Sequence, residues 1–171
     1  MNKEEIMIQL SELPVSYGKI HLPAKVALVV TQKPESGYNL ITIEWFMRTS
    51  LTPPMFAISI GKTRYSHECL EANRYFNLVF PSLKMKPLLT LCGSNSGRDM
   101  DKFAVGKVEY IAGKLHKLPV LKDAVACFEC EIATQIRSGD HTIYIGEVHY
   151  SWENPEEKLF YFQEGIETKP L

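Results

Sequence analysis

The chain predicts a mainly β fold, an antiparallel barrel with a few short helices at its periphery. Two observations carry this reading. Short β-branched and aromatic runs follow one another along most of the chain, and the stretches with helical signals fall at the connections between them. Strands next to strands favour an antiparallel barrel over a doubly wound sheet.

Taken in order, Pro23 to Thr31 is an apolar, β-branched run closed by the turn signal Lys33-Pro-Glu-Ser-Gly37. Tyr38 to Phe46 reads as the next strand, with Ile41, Ile43 and Trp45 on one face and Thr42 and Glu44 on the other. Pro53-Pro54 breaks the chain, and Met55 to Ile60 resumes as a strand. Phe76, Leu78 and Phe80 alternate with polar Asn77 in another. Cys130 to Ile136 and His141 to Trp152 flank Arg137-Ser-Gly-Asp140, the pattern of a hairpin. Lys158 to Gln163 is expected to be a last strand. Helices are few: Ser66 to Asn73 with Ser66 as N-cap and Glu68 in the first turn, a short one capped by Asp99 and running to Phe103, and Leu121 to Ala126.

Length and composition set the bounds. A chain of 171 residues can bury one sizeable core, and with no repeat or linker a single domain over 1–171 is expected, its core about 23–152. A net charge of −1 leaves no basic face for a nucleic-acid partner, though a local pocket could still hold one phosphate. Met1 to Leu10 lacks the apolar stretch of a signal peptide, and Val26–Val30 is far too short to span a membrane. With four cysteines and no secretory pattern, free thiols in a reducing, cytoplasmic compartment are the expectation.

The sequence carries no GxGxxG and no GxxxxGK[ST], which argues against Rossmann or phosphate-loop binding. Cys92-Gly-Ser-Asn-Ser-Gly-Arg98 is either a plain loop or an anion-holding stretch. Cys127 and Cys130, three apart on a strand, point to opposite faces, and no second pair completes a zinc site. His141 and His149 are too far apart along one strand to share an ion, so no metal site is expected. His141 is a turn residue or enters a pocket. Thr63-Arg-Tyr-Ser66 joins a strand to a helix, where open amides and the Arg64 guanidinium favour an anion. The alternative is Ser66 as a simple cap with Arg64 solvated. Trp45 is by default a core residue, or else the wall of a planar ring.

The ordered set Asn39-Leu-Ile-Thr-Ile-Glu-Trp45, Ser50-Leu-Thr-Pro-Pro54, Arg64-Tyr-Ser-His67, Phe76-Asn-Leu78, Cys92 to Phe103, Phe128-Glu-Cys130, Gly139-Asp-His141 and Gly146-Glu-Val148 resembles the flavin reductase-like, FMN-binding split-barrel family, its flavoredoxin branch in particular. The resemblance runs from about Pro23 to Tyr150. It implies a six-stranded antiparallel Greek-key split barrel that pairs into a homodimer, with FMN near the interface. Thr42 to Ser50 would run beside the isoalloxazine, and Arg64, Ser66 and Lys102 would hold the phosphate and ribityl chain. The implied cofactor set is Asn39, Thr42, Trp45, Met47, Arg48, Ser50, Arg64, Ser66, Ser96 and Lys102, with His141 placing a substrate edge and no side-chain catalyst. The implied activity is transfer of hydride or electrons through FMN from a nicotinamide cofactor. The alternative is a flavoredoxin-like carrier that docks to redox proteins. Trp45-Phe-Met-Arg48 replaces the small, hydroxyl-rich residues of oxygenase-associated reductases, which favours a retained flavin.

Overall fold

A computed structural model describes residues 24–163 and 166–167. The strands are β1 (Ala24–Lys25), β2 (Ala27–Gln32), β3 (Tyr38–Ile43), β4 (Phe46–Leu51), β5 (Pro54–Gly61), β6 (Tyr75–Pro81), β7 (Tyr110–Ala112), β8 (Pro119–Leu121), β9 (Ala124–Ser138), β10 (His141–Glu153), β11 (Tyr161–Gln163) and β12 (Ile166–Glu167). Three α-helices join them: α1 (Tyr65–Ala72), α2 (Lys86–Ser94) and α3 (Lys102–Val105).

The main sheet has the order β3-β2-β6-β9-β10-β5-β4, all antiparallel. Its two edges are consecutive pieces of chain, separated only by Glu44 and Trp45. Counted as one bent strand, β3 and β4 close the ring β2, β3/β4, β5, β10, β9, β6 and back to β2. This is the expected six-stranded barrel, with one strand broken. The break has a cause: the chain stops pairing with β2 at Ile43 and begins pairing with β5 at Phe46, and barrel closure needs that corner. The Trp45 carbonyl is caught at the bend by Ser59 N–H at 2.9 Å. From β5 the chain crosses through α1 to β6 on the far side of β2, a Greek-key-type connection.

Alternation fills the interior. Ala27 and Val29 of β2, Ile41 and Ile43 of β3, Phe56, Ile58 and Ile60 of β5, Phe76 and Leu78 of β6, Cys130 of β9 and Tyr144 of β10 form one cluster. Leu28, Val30, Leu40, Val79 and Cys127 face outward into a second cluster with Leu89 and Cys92 of α2 and Val120 and Leu121 of β8. Covered on both faces, β2 opens on the unbroken apolar run Ala27–Val30. Cys127 and Cys130 lie in different clusters, as their spacing requires. All four cysteines are free and buried.

Several local expectations are corrected. Trp45 is 54% exposed and outside the core, because the bend takes it out of the alternation of β3. Arg64, in extended conformation, is the N-cap of α1, and Ser66 lies one residue inside the helix. Asp101 rather than Asp99 caps α3, accepting from Phe103 and Ala104 N–H. Leu121–Ala126 forms no helix; it ends β8 and begins β9, since burial against the barrel overrides its helical propensity. The hairpin turn shrinks to Gly139-Asp140, with Gly139 at φ +56°. The strand expected over Lys158 to Gln163 begins only at Tyr161, preceded by a bridge from Leu159 to Ser82, and β12 follows it. The Met1–Leu10 reading lies outside the described residues.

Two buried polar residues fasten the connection 113–118 to the outer face of the barrel. Asn77 Nδ2 donates to the Leu118 and Pro119 carbonyls. Glu129, fully buried, accepts from Lys114 N–H (3.0 Å), Leu115 N–H (2.6 Å) and Trp152 Nε1–H (2.6 Å). Without its carboxylate those three donors lose their acceptor. Glu129→Ala is therefore expected to lower stability by about 3 kcal/mol, read as a shift in the urea midpoint. A shift under a tenth of that would mean water replaces the carboxylate.

Candidate functional site

A cavity of about 510 Å³ opens between β3, the start of α1 and the α2–α3 connection. It is within the range of about 300–1,000 Å³ usual for small-molecule sites. Three segments meet there for separable reasons. β3 contributes Asn39 and Thr42, and the β5–α1 junction presents Thr63, Arg64 and the first amides of the helix. The connection 95–101 crosses over both. Gly97 makes that crossing possible: a methyl group on it would overlap Asn39 Oδ1 and press on the Tyr65 ring.

The polar groups in this wall are unevenly committed. Asn39 Nδ2 donates to Ser66 Oγ at 2.8 Å, while Asn39 Oδ1 is buried without a partner. Arg98 is spent, its guanidinium donating to Glu68 Oε2 at 2.9 Å and to the Thr63 carbonyl at 3.2 Å. Lys102, buried, donates from Nζ to the Leu40 carbonyl at 2.8 Å and the Cys92 carbonyl at 3.1 Å. It ties β3 to the end of α2. Burial, with the Arg64 charge nearby, holds the Lys102 pKa below the usual lysine value. Burial pushes the Cys92 thiol up to about 11, so it stays protonated. Arg64 is the exception: its exposed guanidinium makes no hydrogen bond or ion pair among the described residues.

A shallower recess continues from this cavity, sharing Ile41, Thr42 and Arg64. Trp45 and His141 form its far side, their rings 4.6 Å apart and inclined 38°. Glu44 Oε1 accepts from Trp45 Nε1 at 3.1 Å, and Asp140 Oδ1 bonds His141 Nδ1 at 2.7 Å. That bond with His141 holds the Asp140 carboxyl below its usual pKa. Thr42 Oγ1 donates to the Leu89 carbonyl, fixing β3 against α2.

Of the ten residues expected around a cofactor, Asn39, Thr42, Arg64, Ser66, Ser96 and Lys102 line the cavity. Trp45 lines the adjoining recess with His141. Met47 and Arg48 lie at a separate opening, and Ser50 sits at the β4 edge opposite Met55. The expectation missed α2, which walls the cavity. Its signals were Pro87 in the first turn and the spacing of Leu88, Leu89 and Cys92.

A barrel with a cationic cavity beside one strand and a flat aromatic shelf next to it defines a class of small cofactor-binding barrels. The family profile described as "Flavin reductase like domain" matches residues 19–169. The chain belongs to the flavin reductase-like family. Relatives include the NADH-dependent flavin reductase StyB of Pseudomonas fluorescens, 29% identical over 85% of this chain and 83% of that one. Among solved structures, an FMN-binding protein from Thermus thermophilus superposes with a TM-score of 0.80 at 27% identity, covering 95% of each chain. The NADH:FAD oxidoreductase SgcE6 of Streptomyces globisporus has a TM-score of 0.77 at 26% identity and 86% coverage of each chain.

The lowered Lys102 pKa carries a testable consequence. An unfolded lysine titrates near 10.5, so between the folded value and 10.5 the unfolded chain binds the proton more tightly. Native stability therefore gains with rising pH across that window. Measured by urea melts, wild type should gain on Lys102→Met as pH rises toward 10.5. A pH-independent difference would mean that the ammonium is solvated.

Proposed function

We propose that this chain is an FMN-dependent oxidoreductase that takes reducing equivalents from NADH or NADPH and works as a cytoplasmic homodimer. The observation that carries the proposal is the uncommitted Arg64 guanidinium at the start of α1, beside a cavity whose wall holds an unpaired buried acceptor, Asn39 Oδ1. The residues present fit FMN. Its phosphate suits a guanidinium fork plus helix-start amides. Its ribityl hydroxyls would meet the polar wall that Asn39 and Ser66 help to line. Ser96 stands on the opposite wall. The flat recess between Thr42 and the Trp45–His141 pair suits a planar ring.

Bound FMN supplies reversible acceptance of a hydride or of single electrons. The chain's own groups bind, orient and manage protons. Arg64 and the α1 amides hold the anion. Lys102, with two of its N–H donors given to backbone carbonyls, keeps β3 and α2 at fixed separation and adds positive charge behind the phosphate position. Trp45 shields the recess from water, steadied by Glu44. Asp140 fixes the His141 ring through Nδ1, leaving Nε2 to accept or donate a proton at the recess. The exposed apolar side chains Trp45 at the bend and Leu51 at the end of β4 support pairing of two chains beside the recess. Four buried, unbridged thiols are in keeping with a reducing compartment. The names of the relatives StyB and SgcE6 support NADH as donor.

Two measurements test the proposal. Arg64→Ala should weaken FMN by about 1.5–3 kcal/mol, roughly tenfold to a hundredfold, and leave riboflavin nearly unchanged. Equal losses for both would make Arg64 structural. Mixed anaerobically with NADH or NADPH in a stopped-flow instrument, the FMN-loaded protein should lose its flavin absorbance in a single fast phase. Bleaching only by a reduced protein donor would replace the reductase with an electron carrier.

A further inference from the structure

The barrel interior is not sealed at the end bordered by β4 and β9. A second cavity of about 460 Å³ opens there, and it shares no lining residue with the cationic cavity or its recess. Its floor is a quartet of phenylalanines, Phe46, Phe56, Phe80 and Phe128, one from each of β4, β5, β6 and β9. Their rings meet in tilted and edge-to-face pairs with centroids 5.0–6.1 Å apart. Small barrels normally fill such space with side chains.

The rim has one sign of charge. Lys25 and Arg48 stand at it, and no Asp or Glu is among the described residues that line it. In a chain of net charge −1, two cations without an acid are a local inversion. Arg48 Cζ lies 4.7 Å from the centroid of the Phe56 ring. Stacking engages the face of the guanidinium and leaves the N–H donors at its edge free. Neither the Arg48 nor the Lys25 side chain makes a hydrogen bond or ion pair among the described residues.

We propose that this barrel mouth is a second binding site, separate from the flavin site, for an aromatic monocarboxylate. The ring system rests on the phenylalanine floor, where edge-to-face contacts reward a flat aromatic body over an alkyl chain. The carboxylate meets the edge of Arg48 as a planar fork, with Lys25 beside it. A phosphate does not suit the site, because the apolar lining offers no donors for its further oxygens.

The test titrates 2-naphthoate into the protein, with and without saturating FMN, following naphthoate fluorescence. One saturable site per chain is expected in both conditions, with neutral 2-naphthamide bound at least about tenfold more weakly. Arg48→Met should erase the preference for acid over amide, and Lys25→Met should reduce it several-fold, with melting temperature confirming that each variant is folded. The comparison of acid with amide uses the unaltered protein and stands even if a variant fails to fold. The proposal is overturned by absence of saturation, by equal affinity for acid and amide, or by competition between 2-naphthoate and FMN.

Discussion

Closing a sheet into a ring obliges one strand to leave its first partner and join another. In this chain that happens between Ile43 and Phe46, where β3 stops pairing with β2 and β4 starts pairing with β5. The bend costs two residues of ladder, partly recovered by the hydrogen bond from Ser59 N–H to the Trp45 carbonyl. It also takes Trp45 out of the alternation and sets its ring against His141, which the β9–β10 turn delivers from the other side. The shelf and the cavity beside it are thus by-products of ring closure. A straight strand through this point would bury Trp45 and leave no recess beside Arg64.

The second constraint is the distribution of a small amount of positive charge. Three cations line the main cavity, but two are already committed. Arg98 straps the α2–α3 connection to Glu68 and the Thr63 carbonyl, and Lys102 holds the Leu40 and Cys92 carbonyls together. Both stabilise the walls, and in doing so they give up most of their donors. A buried ammonium facing two carbonyls without a carboxylate is costly, as its lowered pKa records, and an incoming anion would lessen that cost. Arg64 is left with its whole fork available. The division of labour follows from position: Arg64 is the N-cap of α1 and makes no side-chain cap bond, so its guanidinium is not used up by the helix it begins.

Much of the barrel was legible because alternation leaves a direct mark. Ile41 and Ile43, and Phe76 and Leu78, fall on the interior face that period two assigns them, and Gly139-Asp140 marks the hairpin turn. The cluster of Asn39, Thr42, Arg64, Ser66, Ser96 and Lys102 was legible from family resemblance, since no local rule links residues so distant in sequence. What escaped has physical reasons. Leu121–Ala126 carries helical propensity, yet it ends β8, turns at Lys122-Asp123 and begins β9. Ser66 is a good cap by composition, but its hydroxyl is occupied by Asn39, and the helix is capped two residues earlier, at Arg64. Trp45 could not be placed without knowing that the strand bends.

The bend that closes the barrel also divides its chemistry. Trp45 and Phe46 are neighbours in sequence, but Trp45 faces the flat recess while Phe46 joins the aromatic floor of the barrel mouth. Arg48, two residues on, falls on the Phe46 side, which is why its guanidinium stacks on Phe56 and stands away from Arg64. The recess ends at Trp45 and the barrel mouth begins at Phe46, so the two openings meet at the bend without sharing a lining residue. A one-residue change in the register of β4 would exchange these environments, putting Arg48 toward solvent and Met47 over the phenylalanine rings. The pairing of Phe46 with Ile58 and of Arg48 with Phe56 fixes that register. It is held by the burial of Phe56 and Ile58, so packing of the interior decides where each cation of this face can act.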